Sequence, residues 1–329
     1  MMDLQRVNAY MSKVEESEKK VLPHEGKRLK TGLDLGTAYI VLVVLDENDQ
    51  PVACEKQAAS VLRDGVVVDY SGACRIVREL KEKLEERLGE ELIDCAIAMP
   101  AGTESSTRTH QYVAESAGFE VTNVVDEPTA ANAIYQISDG VVVDIGGGTS
   151  EVAVISLGGI VSARSVRVGG DKFDDFIIQY IKKKYYLLIG ERTAEEIKIK
   201  IGSAYPYEDE QPITIKGRNL ADGLPKNIEI YPEEIREALA DPLASVIDAI
   251  KGTLEKTPPE LSADIIDNGI VLTGGGALLR GLDKLVERET GISVRVAENP
   301  LDCVALGTGM VLENLDELRE VLDNDDSSL

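Results

Sequence analysis

The chain has 329 residues, 43% of them hydrophobic, and 35 Lys and Arg against 59 Asp and Glu give a net charge of −24. That length exceeds one ordinary core and predicts two domains. The charge argues against a nucleic-acid surface, which needs clustered cations to neutralise phosphate, and against simple attraction to anionic lipid.

Cys54, Cys74, Cys95 and Cys303 show no CxxC spacing, so reduced, buried thiols are expected rather than disulfides or a zinc site. Only His24 and His110 are present, which speaks against a histidine triad or a multi-histidine metal centre. No apolar run approaches the ~20 residues of a membrane span, and the N-terminus lacks a signal-peptide pattern, so the chain reads as cytoplasmic.

Residues 1–30 read as a charged extension and linker. Leu4, Val7, Met11 and Val14 share one helical face. That face suits a peripheral membrane contact or, as the commoner outcome, a docking or partly disordered extension. From Thr31 a strand runs into Asp34-Leu35-Gly36-Thr37-Ala38-Tyr39 and resumes at Ile40 to Leu45, with a further short strand from Pro51 to Cys54. Arg63 to Tyr70 leads into a helix over Ile76 to Leu88, ended by Gly89. Ile93 to Met99 is a buried-type strand suited to a parallel sheet, Ser106 to Ser116 a helix, and Val121 to Val125 a strand. Asp126-Glu127-Pro128 then opens another helix.

Val141 to Ile155 is the most informative stretch. An apolar strand ends in Asp144, Gly146-Gly147-Gly148-Thr149 makes a tight turn, and a second apolar strand follows. Glycines let backbone N–H groups approach an anion, and Asp144 stands at the strand end where a metal could sit. The Asp34–Tyr39 turn has the same form 110 residues earlier. Two halves that each offer an aspartate and a glycine hairpin to one ligand are therefore expected. Glu127, just ahead of a helix, suits either a local cap or a carboxylate facing that cleft.

Beyond Ile155, Ile160 to Val168 is a strand, and Phe173 to Lys184 and Ala194 to Ile201 are helices. Glu195 and Lys198 lie on one face of the latter, where a surface ion pair is the commoner outcome. Pro206 to Ile230 reads as a hairpin-like subdomain, Pro232 to Lys256 as one helix containing Pro242 and stopped by Pro258-Pro259. Ile270 to Leu279 repeats the strand-glycine-helix pattern through Gly274-Gly275-Gly276-Ala277, whose helix start offers unpaired N–H groups. Val304 to Gly309 opens a closing helix to Leu322, followed by an acidic tail over 323–329.

Taken together, these motifs resemble the ATPase superfamily of actin, Hsp70 and sugar kinases. In that superfamily two related ribonuclease-H-like α/β domains enclose a nucleotide cleft. Residues 141–322 are similar to the bacterial actin homologue MreB, through Glu151 to Gly159, Leu188 to Lys198, Thr257 to Ile266 and Thr273 to Leu282. Residues 1–140 are more similar to the ethanolamine utilization protein EutJ, through the long extension, Val61 to Tyr70, Ala98 to Thr103 and Asp126 to Ala131. A chimera joined just ahead of Asp144 is one expectation.

The resemblance implies ATP or ADP with Mg²⁺ as cofactors. Asp34 and Asp144 would hold the ion largely through water, and Glu127 would orient the hydrolytic water beside Asp144. Gly36, Thr37, Ala38, Tyr39, Gly146, Gly147, Gly148 and Thr149 would grip phosphate. Glu195 and Lys198 would contact ribose and base, and Gly274, Gly275, Gly276, Ala277 and Gly307 would complete the nucleotide wall. It implies a domain I over 31–143 plus 305–322, a domain IIA over 144–186 plus 241–304, and a small subdomain IIB over 187–240. The small subdomain inserted in domain I of MreB is missing or much reduced, since only Val52 to Leu62 is available for it. The implied activity is slow ATP hydrolysis coupled to assembly in cell-shape maintenance, with the chain itself as partner. The alternative is an EutJ- or Hsp70-like chaperone acting on a client protein in ethanolamine utilization.

Overall fold

The computed structural model describes residues 4–24, 28–100, 107–135, 137–297, 300 and 303–310. The start of the helix expected at Ser106, the remainder of the closing helix to Leu322 and the acidic tail lie outside them.

Helix α1 (Leu4–Lys19) precedes a meander of β1 (Lys30–Leu35), β2 (Tyr39–Leu45) and β3 (Pro51–Ala58). A two-strand hairpin, β4 (Leu62–Arg63) and β5 (Val66–Val67), leads to α2 (Tyr70–Leu88), β6 (Asp94–Met99), α3 (Thr107–Ser116), β7 (Glu120–Asp126) and α4 (Glu127–Tyr135). The second half repeats the plan with β8 (Gly140–Ile145), β9 (Ser150–Ser156), β10 (Gly159–Val166) and α5 (Gly170–Tyr185). It then adds β11 (Leu187–Leu188), α6 (Glu191–Ile201), β12 (Ile213–Asn219) and β13 (Pro225–Ile230) before α7 (Pro232–Leu254), α8 (Pro259–Asn268), β14 (Ile270–Thr273), α9 (Leu282–Thr290) and β15 (Val294–Val296). A final helix, α10, is described over 303–310.

The two main sheets have the same topology, β3-β2-β1-β6-β7 and β10-β9-β8-β14-β15. In each, an antiparallel meander is extended by two parallel strands. The repeat fixes the equivalence of two carboxylates. Asp34 pairs with Val41 and Ala98, Asp144 with Glu151 and Thr273, each one residue before its strand ends.

What each half inserts differs. Between β3 and α2 there is only the β4–β5 hairpin. Between α5 and α7 stands the three-stranded sheet β11-β12-β13 with α6 against it. The sheet centres are almost wholly apolar: Leu33, Ile40, Leu42 and Ile97 are buried in the first half, Val141, Val143, Val152 and Val154 in the second.

Several local expectations need correcting. Helix α2 starts six residues earlier than its apolar spacing suggested, because Asp69 accepts a hydrogen bond from Gly72 N–H at 2.9 Å and caps it. Pro258-Pro259 end α7 but also start α8, with Pro259 in its first turn, where a missing N–H costs nothing. After β14 the chain makes only a 3-10 turn, Gly275–Leu278, and the helix proper waits until Leu282.

Helix α1 is docked. Met11 and Val14 are fully buried among Val41, Val43, Leu45 and Cys54, and Arg87 donates to Ser17 O at 2.7 Å. The described part of its apolar face is therefore committed to the sheet rather than offered to a lipid surface. Among the described residues no helix is long and apolar enough to cross a membrane.

Candidate active site

The two glycine turns face each other. A Cβ on Gly147 would lie 3.1 Å from Ala38 N, and one on Gly148 would lie 2.6 Å from Thr37 Oγ1. Only glycine lets the second turn come this close to the first. Gly146 N–H closes its turn on Thr149 O at 2.9 Å. The first N–H groups of α5, from Gly170 and Asp171, donate to Gly146 O and Gly147 O at 3.0 and 2.9 Å, so the turn is clamped by a helix start.

Four carboxylates converge behind these turns. Glu127, at the first position of α4, is buried and held well above the usual carboxylate range, first by burial and then by the charges of Glu151, Asp144 and Asp34. Asp144 is buried and pushed up to about 6 by desolvation, opposed by a hydrogen bond from Glu127. One proton is therefore held on Glu127 and shared with an ionised Asp144. Asp144 Oδ1 is buried without a hydrogen-bond partner.

Concentrated negative charge with an unsatisfied oxygen fits a divalent cation. Among the described residues no three acidic, histidine or cysteine side chains are arranged to bind one ion directly. The fit is thus to an ion held through water by a few carboxylates, the mode Mg²⁺ favours.

The flanking residues divide. Lys198 does not pair with Glu195, which is exposed; its Nζ donates to Asp174 Oδ2 at 2.8 Å and to Gly170 O at 3.1 Å. This ties α6 to the second turn. Asp174 is raised to about 6, by burial first and against the pull of Lys198. Gly274, with φ 79°, would place a Cβ 2.3 Å from Asp144 Oδ1, and one on Gly276 would lie 2.2 Å from Ile145 Cγ2. Both are glycine because the end of β8 leaves no room.

The Ala277 side chain is buried in the core of the second half. Gly307 likewise has a packing reason: a Cβ there would lie 1.7 Å from Ala130 O, where α10 crosses α4. Sequence reasoning missed Glu151 and Asp174 as parts of the site. Glu151 was detectable as the one charge in an apolar run that pairs across from Asp144; Asp174 carried no signal, because only the fold brings α5 beside α6.

The family described as MreB/Mbl protein matches residues 53–320. The chain belongs to this family. It is 41% identical over 321 residues to the cell shape-determining protein Mbl of Bacillus cereus, covering 87% of this chain and 96% of that one. The crystal structure of MreB5 of Spiroplasma citri bound to ADP superposes with a TM-score of 0.80 at 31% identity, covering 89% of this chain and 99% of that one. The ethanolamine utilization protein EutJ from Carboxydothermus hydrogenoformans gives a TM-score of 0.73 at 31% identity, covering 94% and 99%.

The fold is thus that of the actin-like ATPases. Neither likeness stops at the boundary expected near residue 141: the MreB/Mbl match runs through it, and the EutJ likeness covers nearly the whole chain.

Proposed function

We propose that this MreB/Mbl-family chain binds ATP and ADP with Mg²⁺ in the cleft between its halves, hydrolyses ATP slowly, and couples nucleotide state to self-assembly in maintaining cell shape. The observation that carries the reading is the convergence of Asp34, Glu127, Asp144 and Glu151 behind two facing glycine turns. The ADP-bound MreB5 structure and the cell-shape role named for Mbl support it.

When bound, Mg²⁺ would supply positive charge to the acidic cluster, and the nucleotide a phosphoryl group open to attack by water. Asp34 and Asp144, at equivalent positions in the two sheets, would hold the ion through water. With the surrounding charge offset by the ion, Glu127 would release its proton to solvent and would then accept a hydrogen bond from a water and orient it. The amides of Gly36 to Tyr39 and of Gly147 to Thr149 hold the phosphates, with Gly146 closing the second turn. Glu195 and Lys198 meet the ribose and base from α6, and the backbone of Gly274 to Gly276 forms the wall behind them.

The test is Asp144→Ala, with magnesium nucleotide binding followed by calorimetry and turnover by phosphate release. Binding or turnover should fall at least tenfold while circular dichroism reports an intact fold. Unchanged turnover would remove Asp144 from the site.

A second reading, a chaperone or reactivating factor in ethanolamine utilization, draws on the EutJ likeness and on the single hairpin that stands between β3 and α2. A nucleotide-bound monomer that never pellets and captures an ammonia-lyase subunit would favour it.

A further inference from the structure

Lys198 is held at both ends. Its carbonyl accepts from Gly202 N–H at 2.9 Å, which closes α6, and Ala204 N–H just beyond donates to Arg280 O at 2.8 Å. Arg280 stands two residues past the Gly275–Leu278 turn, so the end of α6 is tied to that glycine segment. The side chain reaches the other way, to the start of α5, where Nζ donates to Asp174 Oδ2 at 2.8 Å and to Gly170 O at 3.1 Å. Gly170 in turn donates its N–H to Gly146 O at 3.0 Å, which places the ammonium beside the second phosphate turn. A Cβ on Gly170 would lie 3.4 Å from Nζ, tighter than an ordinary contact.

Stability does not account for the Lys198–Asp174 pair. The two side chains are only 17% and 13% exposed, and an ion pair withdrawn this far from water returns little more than its desolvation costs. Asp174 is also incompletely served. Its Oδ1 is buried without a hydrogen-bond partner, and burial pushes the carboxyl up to about 6 against the pull of Lys198. A pair built for stability would satisfy both oxygens. Glu195, one turn back on α6 and exposed, would offer Lys198 a cheaper partner in water, and it is passed over.

What the arrangement fixes is direction. An ammonium carries three N–H donors and no acceptor. Two are spent on Asp174 Oδ2 and Gly170 O, and tetrahedral geometry then sets the line of the third. Because Nζ stands next to the turn that would hold phosphate, the part of a nucleotide within its reach is the sugar rather than the base.

We infer that Asp174 is a positioning residue that aims the remaining Lys198 N–H at a ribose hydroxyl of the bound nucleotide. This rests on the nucleotide binding proposed above and adds to it the residue that sets ribose recognition. Since Gly170 is bonded to Gly146 as well as to Lys198, the aim moves with the second turn, and the sugar and phosphate contacts are made as one unit.

Calorimetry with the magnesium complexes of ATP, 2′-deoxy-ATP and 3′-deoxy-ATP tests it. Wild type should bind ATP about fivefold or more tightly than at least one deoxy analogue, the effect of one charge-assisted hydrogen bond. Asp174→Ala and Lys198→Met should each bring that ratio below about twofold, and the double variant should be no worse than either, because the two residues act together. Asp174→Asn keeps an acceptor for Lys198 and should keep the preference. If Asp174→Ala does not fold, Asp174→Ser, too short to reach Nζ, replaces it. A general structural defect would weaken ATP and its analogues in step and leave the ratio standing. A ratio that survives in Asp174→Ala, or a wild type that binds ATP and both analogues alike, overturns the inference. Failure of the wild type to bind ATP at all would instead strike the function proposed above, and this inference with it.

Discussion

The protonated Glu127 carboxyl donates a hydrogen bond to Asp144, so two acids brought together by different halves of the fold act as one titrating unit. Without a cation, burial and mutual repulsion keep that proton in place. The pair therefore binds more protons folded than unfolded, and its contribution to stability is complete below the unfolded values near 4 and is lost progressively as pH rises, at Asp144 through about 6 and at Glu127 through its own raised value.

Glu127→Gln keeps a donor to Asp144 but has no proton to lose. The nucleotide-free variant should show a flatter melting temperature between pH 5 and 8 than wild type, and be more stable at pH 8. Parallel pH profiles would separate the two carboxylates.

Gly307→Ala should destabilise by about 3 kcal/mol, the upper part of the range for overpacking. Its new methyl would meet backbone, Ala130 O at 1.7 Å, rather than a movable side chain. Urea unfolding measures this. A loss under about 0.5 kcal/mol would show that α10 and α4 do not cross so closely.

Removing Lys198 leaves the buried Asp174 carboxylate without its cation. Lys198→Met should cost on the order of 2 kcal/mol at pH 8 and less at pH 5, where Asp174, already raised to about 6, takes up a proton. Adding Asp174→Asn should restore most of the loss. A double variant as unstable as the single one would place the cost in packing instead.

Val14→Asp puts a charge into the apolar contact between α1 and the first sheet. A loss on the order of 3 kcal/mol in urea is expected. Were the helix a membrane-surface element, the midpoint would hold and vesicle binding would fall.

The periodicities and turn residues were enough to find most elements, because strands bounded by glycine turns and helices with one apolar face are local consequences of local sequence. Element starts were less legible: Asp69 advances α2 through one side-chain hydrogen bond that no apolar spacing reveals. In the site, Asp34, Glu127 and Asp144 could be read because each ends a strand or opens a helix at a recognisable signal. The packing of Gly307 against α4 could not, since a glycine beside a ligand and a glycine beside a helix look alike in a sequence.

By itself, then, the sequence determined the repeat: two aspartates ending two apolar strands, each followed by a glycine turn, and so the two-halved architecture. Only the tertiary structure decided which charges meet. Glu151 joins Asp144 through strand register, Lys198 leaves Glu195 for Asp174 because α5 packs beside α6, and α1 buries its face on β2 and β3. Those outcomes depend on distances between segments far apart in the chain, and local preference carries no information about such distances.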